Sequence, residues 1–200
     1  MRSEHAAHFG SEAARETAAH LGMWIFLVSE VLLFTVMFTA YALYRADYSA
    51  VFHLGRRQMA VGLGTANTYL LVSSSVVVAL AVKHRSHRVS ALLLGVAVLF
   101  GAAFLTIKGV EYAQHIHEGA LPGARYHLAS LQEPGASLFF SLYWLMTAVH
   151  ALHVLVGMGV LATLAVLSWN GRPRWLEQGG MYWHLVDVIW LFLWPLFYLV

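Results

Sequence analysis

Glu30 sits inside the apolar run LGMWIFLVSEVLLF, and no opposite charge lies beside it in the sequence. About ten residues into a lipid-spanning helix it lies roughly 15 Å along the axis, where a lone carboxylate costs on the order of 3 kcal/mol on insertion scales. Such a group must face other helices, find hydrogen-bond partners, or stay protonated. Two readings stand: a proton-linked or conformational switch, and a neutral, satisfied carboxyl that packs helices together. His150 and His153, in YWLMTAVHALHVLVGMG, are spaced to share one helix face. Neutral imidazole binds metals and haem well, but such a site draws further ligands, and His184 is the only other histidine in a candidate span. Interhelical hydrogen bonding suits the pair better, with Glu30 as the natural partner for one of the two.

The other polar groups carry weaker signals. Asn67 lies within an apolar stretch, and Lys108 and Glu111, three residues apart, read as a surface ion pair at a helix end. His184 and Asp187 share a face near the start of the last span, close to the cytoplasmic surface, where a local polar pair or a subunit contact explains them. His115, His117, Glu118 and His127 could in principle bind zinc, but they form no tetrahedral spacing motif. No catalytic residue and no metal site is therefore assigned. The absence of cysteine excludes thiolate iron–sulfur sites, disulfides and Cys-based zinc sites. No Walker sequence, dinucleotide fingerprint or nucleophile elbow occurs. The net charge of +2 comes from scattered basic residues, which gives no support for nucleic-acid binding. The two halves show no repeat of the kind found in many transporters.

The elements that must position these groups follow from composition. Of 200 residues, 60% are hydrophobic and 11% charged, whereas soluble domains are about a quarter charged. Five long apolar stretches predict helices over about 21–44, 63–82, 89–112, 137–169 and 182–200. They are too long and continuous for transmembrane strands, so the expected fold is all-α, an integral membrane bundle of five transmembrane helices. Residues 1–20 read as a retained polar tail, since a signal peptide would run from a basic start straight into an apolar core. The fourth span, roughly 50 Å long at 1.5 Å per residue, must tilt or project into water. Pro195 should kink the last helix. Residues 113–133, with Gly119, Pro122 and Gly123, form the longest connection. Tyr41, Tyr44, Trp169, Trp175, Tyr182 and Trp183 fall near span ends, where aromatic rings favour the headgroup level. An inside N-terminus puts Arg2, Arg15, Lys83, Arg85, Arg88, Arg172 and Arg174 in the cytoplasm. It leaves Arg45, Arg56, Arg57, Lys108 and Arg125 outside, with the C-terminus.

Five segments in order resemble subunit III of the haem–copper terminal oxidases: WIFLVSEVLLF at 24–34, NTYLLVSSS at 67–75, KGVEY at 108–112, the helix bearing His150 and His153, and YWHLVDVIWLFLWPLFYL at 182–199. The family's usual glycine before the paired histidines is Ala148 here. The resemblance is to the short five-helix bacterial form, without the first two of the seven helices of the long form. It implies a redox-inactive subunit that packs against subunit I in a complex that also contains subunit II. It implies support of proton uptake on the cytoplasmic side and protection of the catalytic centre during turnover. Haem and copper would then reside in partner subunits and none in this chain. Bound phospholipid is expected, as is a place in the bacterial cytoplasmic membrane. By the same resemblance Glu30 is the carboxyl bonded to a histidine of the fourth helix, His153.

Glu30 and KGVEY favour the cytochrome c oxidase type. A quinol oxidase subunit III and a related five-helix protein associated with nitric oxide reductase are the neighbouring alternatives. A stand-alone proton channel or transporter built around Glu30 is the alternative of a different class.

Overall fold

The computed structural model describes residues 12–172 and 175–199. The first eleven residues of the expected tail and Arg174 lie outside the described residues, whereas residues 12–20 already belong to a helix. The described chain is helical: α1 (Glu12–Asp47), α2 (Ser49–Arg56), α3 (Val61–Lys83), α4 (His87–Glu118), α5 (Ala136–Trp169) and α6 (Leu176–Trp194), with a closing π-helical turn at Pro195–Leu199. Five helices are long and apolar enough to cross a bilayer, as the hydropathy predicts, and the described residues contain no sheet. In hydrocarbon, a helix satisfies its own backbone polar groups, so each span needs no neighbour for that purpose.

Packing follows a regular repeat. The buried residues of α3 are Gly64, Asn67, Leu71, Ser74, Val78 and Ala81. On α4 the sequence Leu94, Ala97, Gly101, Phe104, Lys108, Glu111, His115 advances in alternating steps of three and four. So does Tyr143, Thr147, His150, Val154, Gly157, Leu161, Leu164, Ser168 on α5. That 3.5-residue average is the repeat of a supercoiled seam between near-parallel helices. Small residues on the seam admit large rings: a Cβ on Gly157 would lie 2.8 Å from the Trp183 ring, and one on Gly64 2.8 Å from the Tyr198 ring.

The helices are unequally enclosed. In α6, 50% of the apolar window is buried, against 17% in α1. Leu21, Trp24, Ile25, Val36 and Leu43 of α1 all face outward. Tyr41, Tyr182 and Trp183, expected near span ends, are 2%, 6% and 0% exposed and pack against other helices. The last helix begins six residues earlier than predicted, so Tyr182 and Trp183 lie two turns inside it. Trp169, Trp175 and Tyr44 do stay exposed.

α4 also outruns its predicted end. It stops only at Gly119, whose φ of +82° and N–H contacts to the carbonyls of His115 and Ile116 form a left-handed cap. The connection to α5 is correspondingly shorter than 113–133 implied. The short helix α2 has no counterpart in the hydropathy pattern. It buries Phe52 and Gly55 against the ring of Phe139. At the C-terminal end Pro195 has no N–H to donate, and the helix widens into the π turn. Loose carbonyls there are taken up from other elements: Tyr41 Oη donates to Leu196 O at 2.8 Å, and the Arg56 guanidinium donates to Leu199 O.

Candidate functional site

The structure brings Glu30 of α1 to His153 of α5, with Oε2 and Nε2 2.9 Å apart. The other imidazole nitrogen, Nδ1, lies 2.7 Å from the carbonyl of Val149. A carbonyl only accepts, so Nδ1 carries a hydrogen. One proton then remains for the Nε2–Oε2 contact, residing either on the carboxyl or on the ring. Both arrangements, carboxylic acid with neutral imidazole and carboxylate with imidazolium, have zero net charge. A proton can therefore cross the pair without leaving a bare charge in lipid. Phe34 approaches the His153 ring edge-on at 5.4 Å, and Tyr182 Oη donates to the His153 carbonyl at 3.3 Å. The two side chains remain 17% and 15% exposed, so the pair lies at the rim of the bundle.

His150 does not join it. The side chain lies on the α5 seam, 0% exposed, stacked on Trp190 at 5.3 Å with Phe104 edge-on at 5.7 Å. Neither ring nitrogen meets a hydrogen-bond partner among the described residues. The three-residue spacing thus splits the histidines, one toward α1 and one toward the interior.

A second polar centre corrects the surface reading of Lys108 and Glu111, which are 2% and 0% exposed. Lys108 Nζ donates to Glu111 Oε2 at 3.1 Å and to the hydroxyls of Tyr143 and Tyr198 at 3.0 Å each. Both phenols then donate onward to Glu111 Oε1, Tyr143 at 2.7 Å. Every ammonium hydrogen and both carboxylate oxygens are used, which is what a buried ion pair requires. The rings of Tyr112 and Trp190 lie 5.2 and 5.5 Å from Nζ, within cation–π range. His115 stands 3.9 Å from Glu111 Oε1, beyond hydrogen-bonding distance. The tyrosines had no part in the sequence reading. The signal that could have found the cluster is the seam itself, since 94, 97, 101, 104, 108 and 111 fall on one line of α4.

The remaining candidates are dispersed. Asn67 is fully buried, and neither amide atom has a partner among the described residues. His184 Nδ1 lies 2.6 Å from Ser75 Oγ rather than bonding Asp187. α6 starts at Leu176, so His184 and Asp187 lie eight and eleven residues into the helix, with Asp187 buried. His117 and His127 are exposed while His115 is buried. Among the described residues no group of three or more His, Cys, Asp or Glu side chains is placed to hold a metal ion.

Comparison with known proteins agrees with this architecture. The family model described as cytochrome c oxidase subunit III matches residues 3–200. The quinol oxidase subunit 3 of Bacillus spizizenii is 32% identical over 215 residues, covering 98% of this chain and 97% of that one. The cytochrome c oxidase subunit 3 of a Synechocystis species is 30% identical over 190 residues, covering 90% and 74%. A protein of Aeropyrum pernix named heme-copper oxidase subunit I+III is 28% identical over 192 residues, 89% of this chain and 22% of its own length. With five membrane-length helices, a match over nearly its whole length and relatives from both oxidase types, this chain belongs to the cytochrome c oxidase subunit III family, the haem–copper oxidase subunits III of respiratory membranes.

Proposed function

We propose that this chain is the redox-inactive subunit III of a bacterial respiratory haem–copper oxidase, seated against subunit I. In this role the Glu30–His153 pair supports proton uptake and endurance during oxygen reduction. The observation that carries the reading is the 2.9 Å contact between His153 Nε2 and Glu30 Oε2, a geometry in which one proton can change sides at zero net charge. Membership of the subunit III family supports the assignment, and so does the Aeropyrum relative, whose name puts subunits I and III on one chain. Haem and copper belong to the partner subunits, and phospholipid fills the grooves along the exposed apolar face. The N-terminus lies in the cytoplasm, on the side of the basic loop 83–88.

Cytochrome c is the electron donor of the first reading, in line with the family description and the Synechocystis relative. Quinol is the second, supported by the Bacillus spizizenii relative, which matches 98% of this chain. Gentle solubilisation of native membranes through a tag on this chain tests both. Copurified haem with oxygen consumption driven by reduced cytochrome c supports the first reading, and consumption driven only by quinol selects the second. Copurification of a nitric oxide reductase, or recovery of an isolated monomer active as a proton channel, overturns the proposal.

A further inference from the structure

Between α3 and α6 lies a part-open cleft of about 270 Å³, walled by Val72, Val76, Val188 and Leu191, with Ser75, His184 and Asp187 as its polar lining. Asp187 is 3% exposed, and neither carboxyl oxygen meets a hydrogen-bond partner among the described residues. Ser75 stands beside this carboxyl, but its hydroxyl makes its 2.6 Å contact with His184 Nδ1. A hydroxyl has one proton, so Ser75 can supply at most one carboxyl oxygen. The other still lacks a donor among the described residues.

Depth narrows what that donor is. Asp187 follows the start of α6 by eleven residues and precedes Leu199 by twelve, which puts it about 16–18 Å from either end at 1.5 Å per residue. A residue so far from both ends of a helix of membrane length lies within a hydrocarbon layer about 30 Å thick. Lipid headgroups lie at the surface, and acyl chains have no hydrogen to donate. A polar side chain on another transmembrane helix reaches this depth, and interhelical hydrogen bonds of that kind hold membrane bundles together. The surrounding face suits such a neighbour: Val76, Val188 and Leu191 are 56%, 46% and 44% exposed around the polar slot.

We infer that the cleft between α3 and α6 receives a hydrogen-bond-donating side chain from a transmembrane helix of subunit I, which binds the Asp187 carboxyl. The inference rests on the subunit III reading above. The Aeropyrum relative, named for subunits I and III together, is in line with a partner of this class.

The absence of native cysteine permits a clean test. Val188→Cys and, as control on the outer face of α5, Leu155→Cys are each labelled with a photoreactive maleimide in membranes containing the assembled complex. Crosslinking to subunit I is expected from Val188→Cys at several times the yield from Leu155→Cys. In a parallel arm, Asp187→Val should lower the haem that copurifies with the tagged chain about tenfold, as expected for loss of a buried hydrogen bond to a carboxyl. Asp187→Asn, which still accepts a hydrogen bond, should retain most of it. If Asp187→Val fails to accumulate, the crosslinking arm decides alone, because its protein keeps Asp187. Adducts to lipid only at Val188, equal yields at the two positions, or undiminished haem with Asp187→Val would overturn the inference. If the wild-type chain recovers haem while Val188→Cys gives no subunit I adduct, this inference alone is sunk, whereas wild-type chain recovering no haem sinks the subunit III reading with it.

Discussion

Glu30–His153 and Lys108–Glu111 are both acid–base pairs held between membrane helices, and they are built in opposite ways. The first joins one carboxyl to one imidazole at the rim, with both side chains partly exposed and a single proton between them. The second closes an ammonium, a carboxylate and two phenols into a ring in which no donor is left over. A ring with every hydrogen committed resists change, because moving one proton breaks several bonds at once. A two-member contact with one shared proton has no such constraint. Low-dielectric surroundings sharpen both behaviours: satisfied networks rigidify, and incompletely satisfied ones are costly. The interior cluster is thus suited to fastening the C-terminal turn to α4 and α5, and the rim pair to exchanging a proton.

The largest expected effect separates the two at once. Glu111→Leu strands the Lys108 ammonium with phenols only, and removing one member of a buried pair costs about 3–5 kcal/mol. The chain should then fail to accumulate in membranes, as measured by immunoblot. The double variant Lys108→Met with Glu111→Leu should recover much of the level, since apolar replacement of a whole buried pair is often neutral. Normal accumulation of Glu111→Leu alone would remove the fastening role.

Gly64→Ala attacks the same cluster without touching a charge. Its Cβ would lie 2.8 Å from the Tyr198 ring, and overpacking of this kind costs about 1–3 kcal/mol. Thermal inactivation of the solubilised complex should move to lower temperature; an unchanged profile would mean that the C-terminal turn shifts freely.

At the rim, Glu30→Ala should leave haem content intact and cost about 1–2 kcal/mol of stability, while catalytic lifetime in an oxygen electrode shortens. Glu30→Gln sharpens the point, because its amide can still donate to Nε2 but carries no transferable proton. Loss of endurance in both variants marks proton exchange as the function. Rescue by glutamine marks packing, and loss of haem marks an assembly role.

The smallest effect is expected at the edge of the interior cluster, from Tyr112→Phe. It deletes one neutral hydrogen bond, to Thr147 Oγ1, whose own hydrogen still goes to the Tyr143 carbonyl, and should cost about 1 kcal/mol, visible as a modest fall in the melting temperature of the complex.

Some of this was legible in the chain itself. Glu30 stood out because a carboxylate in an unbroken apolar run is costly wherever that run lies in a bilayer. Lys108 and Glu111 were misplaced at the surface because they were read as the polar end of a span. In fact α4 continues to Glu118 and carries both residues along its seam. His150 and His153 show the limit of spacing arguments, since one imidazole serves the rim and the other stacks on Trp190 in the interior. Helix α2 was invisible because eight residues are too few to span, and its burial depends on Phe139, far away in sequence.

Sequence alone determined that the chain forms membrane-spanning helices, roughly where they run, and that a carboxyl is carried among them. Length and hydropathy suffice for this because lipid requires each span to satisfy its own backbone. Tertiary structure decided which face of each helix turns inward. Lipid and protein interior are almost equally apolar, so the contrast that orients a helix in a water-soluble protein is erased. What remains to choose the face is contact: small residues admitting Trp183 and Tyr198, and polar groups finding partners across helices.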